Sequence, residues 1–406
     1  MDLIGLKDLT HDARLLFITR FVRLFAYGSL SVVLVFYLTR LGLSASQTGL
    51  LLTLTLLGDT AVSLALTTRA DRFGRRRTLL IGSMLMAAAG AVFASASNFW
   101  LLILAGTIGV ISPSGNEVGP FLPVEQAALA QVTPNRKRTE VFAWYTLAGA
   151  VATASGSLVA GLLVETSGSE RAVVIEYVVL GLVLALCFRR LSQAAEVRED
   201  SNALGHGKKL LGLGPSLGIV LKLSALFGLD SFGGGFVLQS FAAYWFYLRF
   251  RVNPAVLGGI FFGANLLAGI SALAASRIAS RIGLIRTMVF THLPSNVLLL
   301  LVPLMPNVQL ASTLLLLRFS ISQMDVSTRM SYTMAVVRPE ERSAAAGVTG
   351  VVRTLGAAIS PLLAGWLFGH PSLIDSPFYI AGGLKIMYDL LLYRAFVRMR
   401  PPEEQS

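Results

Sequence analysis

Twelve times along this chain an apolar stretch runs to roughly the length of a bilayer, and that recurrence leaves few folds open. In hydrocarbon no water is present to bond the backbone. A stretch of roughly 20 apolar residues is therefore stable as a helix that satisfies its own N–H and C=O groups. The stretches run at about 15–38, 47–68, 78–96, 99–132, 140–164, 172–190, 216–246, 255–276, 287–304, 308–335, 343–368 and 376–396. The expected fold is all-α: a polytopic membrane protein of twelve transmembrane helices. Only 14% of the residues are charged, against roughly 25% in soluble domains. The longest hydrophilic stretch, 191–214, lies between spans six and seven and is too short for a soluble domain. It divides an N-terminal six-helix bundle, 1–190, from a C-terminal one, 215–406.

Orientation follows from where Lys and Arg lie. The loops on one side carry runs such as Arg75–Arg77, Arg136–Arg138, Arg189–Arg190 and Lys208–Lys209, whereas the other side holds Arg40, Arg171, Arg249 and Arg251. Both termini are thus expected in the cytoplasm. The net charge of +12 is spread over many short loops, as that rule requires, so the chain is not expected to bind nucleic acid. Cys187 is the single cysteine and excludes an internal disulfide. No cleavable signal or lipidation motif is seen at the start, and the short loops suggest a bacterial inner membrane.

The chain also contains an echo of itself. The segment PNRKRTEVFAWYTLAGAVATASGSLVAGLL aligns with PEERSAAAGVTGVVRTLGAAISPLLAGWLF at an offset of 204 residues, placing Arg138 on Arg342 and Gly161 on Gly365. A weaker echo sets DRFGRRR (71–77) on SRIGLIR (280–286), with Gly74 on Gly283. Two pseudo-symmetric six-helix bundles, with a substrate path between them, are the expected arrangement of a secondary transporter.

The segment GDTAVSLALTTRADRFGRRR (58–77) resembles the signature loop of the major facilitator superfamily, with Gly58, Asp71, Arg72, Gly74, Arg75, Arg76 and Arg77 at matching places and Thr67 where the pattern has its second glycine. The resemblance implies that the loop's acidic residue, here Asp71, docks against the start of a helix in the other half and latches one alternating-access state. Free N–H groups at the helix opening near Arg342 would favour a carboxylate. In that case Asp71, Arg72, Gly74, Arg75, Arg76 and Arg77 form a gating loop; otherwise the arginines only fix topology. The efflux pattern of the superfamily is matched in part. Span five lacks its proline, span four lacks its arginine, and span eleven carries Pro361.

Charges inside the spans mark candidate sites, because each costs several kcal/mol unless paired or hydrated. In span ten Arg318, Asp325 and Arg329 fall within about 20° of one line at 100° per residue. An Asp325–Arg329 ion pair is the structural alternative to a functional role. In span one Arg20, Arg23, Tyr27 and Ser31 recur at three or four residues. An Arg23–Asp59 pair between spans one and two would account for two of the charges without function. In span four Pro113, Pro120 and Pro123 interrupt the helix near Asn116, Glu117, Glu125 and Gln126, and broken helices at membrane depth are tolerated where they line a cavity. The 204 offset sets Glu125 on Arg329, a candidate gate between the halves. Span seven adds Asp230 before three glycines, 233–235, which serve either as a hinge or as packing positions. Tyr244, Trp245, Phe246 and Tyr247 read as an interfacial belt, and Lys222 and Lys385 as solvated near span ends.

The substrate or proton path is thus expected to comprise Arg20, Arg23, Tyr27, Asp59, Asn116, Glu117, Glu125, Asp230, Arg318, Asp325 and Arg329. Glu117, Asp325 or Asp230 would carry a coupling proton. The expected function is secondary active transport of a small organic molecule by alternating access, as proton-coupled efflux. An organic-anion or sugar-phosphate exchanger is the alternative, prompted by the arginines, and a non-transporting membrane sensor is a third. The chain holds no HExxH and no cysteine nucleophile with a nearby histidine, and it has no phosphate-cradling glycine loop, so neither an enzyme nor an ATP-driven pump is expected. No cofactor or metal is expected beyond a proton gradient. The partners are the lipid bilayer, a small-molecule substrate and protons, with the chain acting as a monomer.

Overall fold

A computed structural model describes residues 9–68, 70–134, 138–196, 213–338 and 341–399; the side chains of Asp71, Arg72, 138–140, Ser276, Ser327 and Ser343 lie outside the described set. Helices occupy all twelve expected spans. In the first half they run His11–Arg40, Ala45–Thr67, Arg75–Ser95, Phe99–Ile108 with Phe121–Val132, Arg138–Ser167 and Arg171–Arg189. In the second they run Leu217–Gly235 with Gln239–Phe250, Pro254–Ile282, Leu284–Leu301, Val308–Ser322 with Met324–Val336, Arg342–Phe368 and Ser376–Phe396.

Among the described residues nine helical segments are long and apolar enough to cross a membrane by length and composition. The other three spans fall short for visible reasons. Span four is interrupted over 109–120, span ten breaks at Gln323, and span twelve carries Lys385, Asp389 and Arg394.

Helix starts follow local chemistry. Ser44 and Gln47 form a capping box, with Gln47 N–H donating to Ser44 Oγ at 3.2 Å and Ser44 N–H to Gln47 Oε1 at 2.8 Å. Asn98 and Asn307 cap spans four and ten through their side-chain oxygens. Gly74 (φ 97°) precedes span three and Gly283 (φ 87°) precedes span nine. Both positions need the left-handed backbone that glycine alone adopts freely, so the two glycines aligned in sequence do the same conformational task. Arg138 and Arg342, aligned at the other echo, each open a helix.

The described residues group into two compact units, Met1–Glu199 with Gln239–Leu266, and Asp200–Leu238 with Leu267–Ser406. The segment 239–266 thus lies with the first unit and not with the rest of 215–406. Three contacts show why. Phe36 packs edge-on against Tyr244 and Tyr247, with ring centroids at 5.7 and 5.2 Å. Gln239 Nε2 donates to Ser31 Oγ (2.9 Å) and Ser157 Oγ (3.2 Å), and Asn265 Nδ2 to Gln239 Oε1 (3.1 Å). Gly161 and Gly258 let two backbones meet: a methyl at Gly161 would lie 2.4 Å from the Pro254 carbonyl oxygen and 3.0 Å from Gly258 Cα.

Close backbone approach also sets the packing inside each unit. Gly28 abuts the Thr153 carbonyl in the first, joining spans one and five, and Gly356 abuts the Gly228 carbonyl in the second, joining spans seven and eleven. The second unit's apolar core gathers Leu223, Phe227, Met288, Val289, Tyr332, Tyr388, Leu392 and Phe396. Trp245 and Phe246 are fully buried, so the aromatic group after span seven's glycines is packing as much as belt. Of those glycines, Gly235 sits against the Ala357 carbonyl oxygen and the helix stops there. They pack and they break the helix.

Candidate functional site: a buried charge network in each unit

In the first unit the interruption of span four brings acids to span one. Residues 109–120 leave the helix with Gly115 (φ 71°) and Gly119 (φ 77°) in left-handed turns. Pro120 then caps the second half-helix and Pro123 sits in its first turn, where its missing N–H costs nothing. This places Glu117 in the turn and Glu125 on the half-helix, both facing the arginines of span one.

Arg23 is fully buried and holds Glu125 bidentately, Nη1 to Oε1 at 2.7 Å and Nη2 to Oε2 at 2.8 Å. Its Nε reaches Glu117 Oε2 at 3.2 Å, while Arg20 Nη1 binds Glu117 Oε1 at 2.6 Å. Thr19 Oγ1 (2.9 Å) and the Tyr145 hydroxyl also donate to Glu125. Arg20 lies over the Tyr145 ring at 4.3 Å and Arg23 over Phe121 at 4.8 Å. Two cations and two anions therefore neutralise one another in a site sheltered from water.

The Arg23–Asp59 pair, the structural alternative for these charges, does not form among the described residues. Asp59 Oδ1 instead accepts the Gly119 N–H at 2.6 Å, pinning the interrupted stretch to span two. Arginine goes where a carboxylate can match its planar fork, and the span-four acids offer two. Tyr27 is buried and donates to the Val118 carbonyl at 3.3 Å. Asn116 is exposed and enters through its carbonyl, which accepts from Ser112 Oγ at 2.7 Å.

The second unit builds a denser network around Asp230. Its Oδ1 accepts from Lys385 Nζ at 2.7 Å and its Oδ2 from Arg329 Nη1 at 3.2 Å, with His292 Nε2 at 3.6 Å. Arg329 also bonds Asp325 through Nη2. His292 Nδ1 is 2.8 Å from Asp389 Oδ1, and Asn296 Nδ2 donates to Asp389 Oδ2 at 2.9 Å. Spans seven, nine, ten and twelve all contribute.

His292, Asn296, Lys385 and Asp389 are absent from the expected path. Lys385 is buried and paired, contrary to the expectation that solvation accounts for it. Each pair, His292/Asn296 and Lys385/Asp389, is spaced i,i+4 on one helix face, and that spacing was the available signal. Arg318 and Arg353 approach the same group and are taken up below. Glu125 and Arg329, equivalent under the 204 offset, each find counter-ions inside their own unit.

Asp230, His292 and Asp325 each bring a ligand atom within 4.8 Å of the others, the spacing of a metal site. Lys385 and Arg329 already hold the carboxylate oxygens such an ion would need.

At the loop after span two, the side chains of Asp71 and Arg72 lie outside the described residues, and Arg76 and Arg77 are exposed. The carboxylate found at the start of span three is Glu196, which accepts from Arg75 N–H (2.7 Å) and Arg76 N–H (3.1 Å) beside Gly74. Arg75 Nη1 donates to Gln131 Oε1 at 2.7 Å. A carboxylate there satisfies orphan N–H groups and the helix dipole together. In the second unit Glu341 takes the Gly214 and Ser216 N–H groups at 2.9 and 3.1 Å.

Known proteins place these features in a family. The chain is 28% identical to the "Uncharacterized membrane protein YJR124C" of Saccharomyces cerevisiae over 429 aligned positions, covering 96% of this chain and 95% of that one. It is 23% identical to the quinolone resistance protein NorA of Staphylococcus aureus, covering 91% and 93%. Its fold matches the crystal structure of the nucleoside transporter NupG with a TM-score of 0.76 at 16% identity, over 95% of this chain and 99% of that one. Residues 16–352 match the family model of the Major Facilitator Superfamily. With twelve helical spans and a sequence duplicated across two halves, the chain belongs to the Major Facilitator Superfamily of membrane transporters.

Proposed function

We propose that this transporter exports a small organic molecule in exchange for protons. The observation that carries the proposal is the sharing of Asp230 between cations from two different spans, Lys385 of span twelve and Arg329 of span ten, with His292 Nε2 of span nine 3.6 Å away. A buried carboxylate keeps its charge only while its cations stay in place. When the spans shift during alternating access, losing either cation makes the neutral, protonated acid the cheaper state. Restoring the contact expels the proton. Asp325, whose carboxylate bonds Arg329, responds to the same movement. The likeness to NorA along most of the chain supports efflux as the direction.

The test is proteoliposomes loaded with a pH-sensitive dye and presented with ethidium, succinate or glucose 6-phosphate. Proton movement that one of these compounds drives, and that Asp230→Asn or Asp325→Asn abolishes, is the expected result. Compound flux without proton movement, or proton movement undiminished in both variants, overturns the coupling.

A further inference from the structure

The arginines inside the spans separate into two groups once their partners are known. Arg20 and Arg23 belong to Glu117 and Glu125, and Arg329 to Asp325 and Asp230. Their charges are spent within the protein. Arg318 of span ten and Arg353 of span eleven differ: among the described residues neither has an ion pair or a side-chain hydrogen bond, and the Nε of each is buried without an acceptor. The Arg318 guanidinium lies 5.0 Å from the centroid of the Phe319 ring.

Both lie within electrostatic range of Asp230 and Asp325. Those carboxylates are already taken by Lys385 and Arg329. Taken together, Asp230, Asp325 and Asp389 face Arg318, Arg329, Arg353 and Lys385, so one positive charge is left over even with His292 neutral. An unpaired guanidinium inside a membrane span is costly unless water or a counter-ion reaches it. Both residues are of intermediate burial and not fully enclosed.

We propose that Arg318 and Arg353 bind an acidic group, a carboxylate or a phosphate, of the transported molecule. The guanidinium fork matches either oxyanion bidentately. This names the substrate class for the exporter proposed above and rests on that reading for its transport role. The binding itself requires neither proton coupling nor a direction.

The test is therefore a thermal-shift titration of the detergent-purified protein without any gradient. The probes are benzoate, benzamide and phenyl phosphate, which share a ring and differ in charge and in oxyanion shape. An acid that stabilises while benzamide does not is expected, with carboxylate and phosphate distinguished by which acts at lower concentration. Its half-saturating concentration should rise roughly tenfold or more in Arg318→Gln or Arg353→Gln, the loss expected for a charged hydrogen bond. Arg318→Lys and Arg353→Lys, which keep charge and lose the fork, serve if a Gln variant is not recovered, and each should weaken the same shift. Equal shifts for acid and amide, no shift with any probe, or an acid shift undiminished in the variants at both positions overturns the proposal. Loss of proton coupling in proteoliposomes with this acid preference intact would instead remove only the exporter reading.

Discussion

Arg23 is the most exacting place to test the charge bookkeeping of the first unit. It has no exposure and serves two acids, one of them, Glu125, also without exposure. Arg23→Gln leaves Glu125 with only the Thr19 and Tyr145 hydroxyls, and breaking a buried pair by removing one partner costs about 3–5 kcal/mol. At roughly 2–4 °C per kcal/mol for a unit of about this size, the melting temperature should fall by roughly 6–20 °C. Glu125→Gln should cost less, about 1–3 kcal/mol, because Arg23 keeps Glu117. The double variant removes one charge of each sign and leaves the Arg20–Glu117 pair at 2.6 Å. It should therefore be more stable than Arg23→Gln alone, with a coupling of about 1–3 kcal/mol. Melting of the four proteins in one detergent, followed by intrinsic fluorescence, measures the cycle. Additive losses would refute the reasoning, since they would mean that Arg23 and Glu125 do not neutralise each other.

Other expectations follow from the same structure. Asp230→Asn strands Lys385 while Arg329 keeps Asp325, and it should abolish transport, whereas Asp230→Asn with Lys385→Met should recover stability by about 1–3 kcal/mol over the single variant, read by thermal melting. His292→Leu removes the 2.8 Å contact to Asp389 Oδ1 and should cost about 1–3 kcal/mol of stability, read as a lower melting temperature, part of which His292→Gln, which keeps hydrogen-bonding capacity, should restore. Gly161→Ala places a methyl 2.4 Å from the Pro254 carbonyl oxygen and should separate spans five and eight; the melting temperature should then fall relative to the parent. Gly74→Ala and Gly283→Ala each force a side chain into left-handed backbone and should cost about 1–2 kcal/mol, with Gly218→Ala, which meets open space, as the control in the same melting assay.

Much of this was written in the chain at the level of spans. Apolar length and flanking charge located all twelve, because in hydrocarbon the helix is the one local solution and its ends must reach water. Proline marked the interruption of span four, and the aligned glycines 74 and 283 proved to share one backbone conformation. Partner choice was less legible. Arg23 stands near Asp59 in a simple picture of depth, yet it pairs with Glu117 and Glu125, since the turn over 109–120 redirects both acids. Nearness to a span end suggests solvation for Lys385, whereas its long stem carries the ammonium inward to Asp230. The assignment of 239–266 to the first unit was also hidden, for it depends on a glycine contact, two polar side chains and an aromatic edge that no periodicity announces.

The interruption at 109–120 has a consequence on the timescale of hydrogen exchange. Helical amides in the spans are locked by their own carbonyls and shielded from solvent, so they should exchange over hours or longer. The Gly119 amide is held by a side chain, Asp59, and the Asn116 amide by the Ser114 hydroxyl. Protection in this stretch therefore rests on side chains that a substitution can remove one at a time. Deuterium uptake there, far faster than in the flanking helices and faster still in Asp59→Asn, would make span four a built-in reporter of water reaching the centre of the first unit.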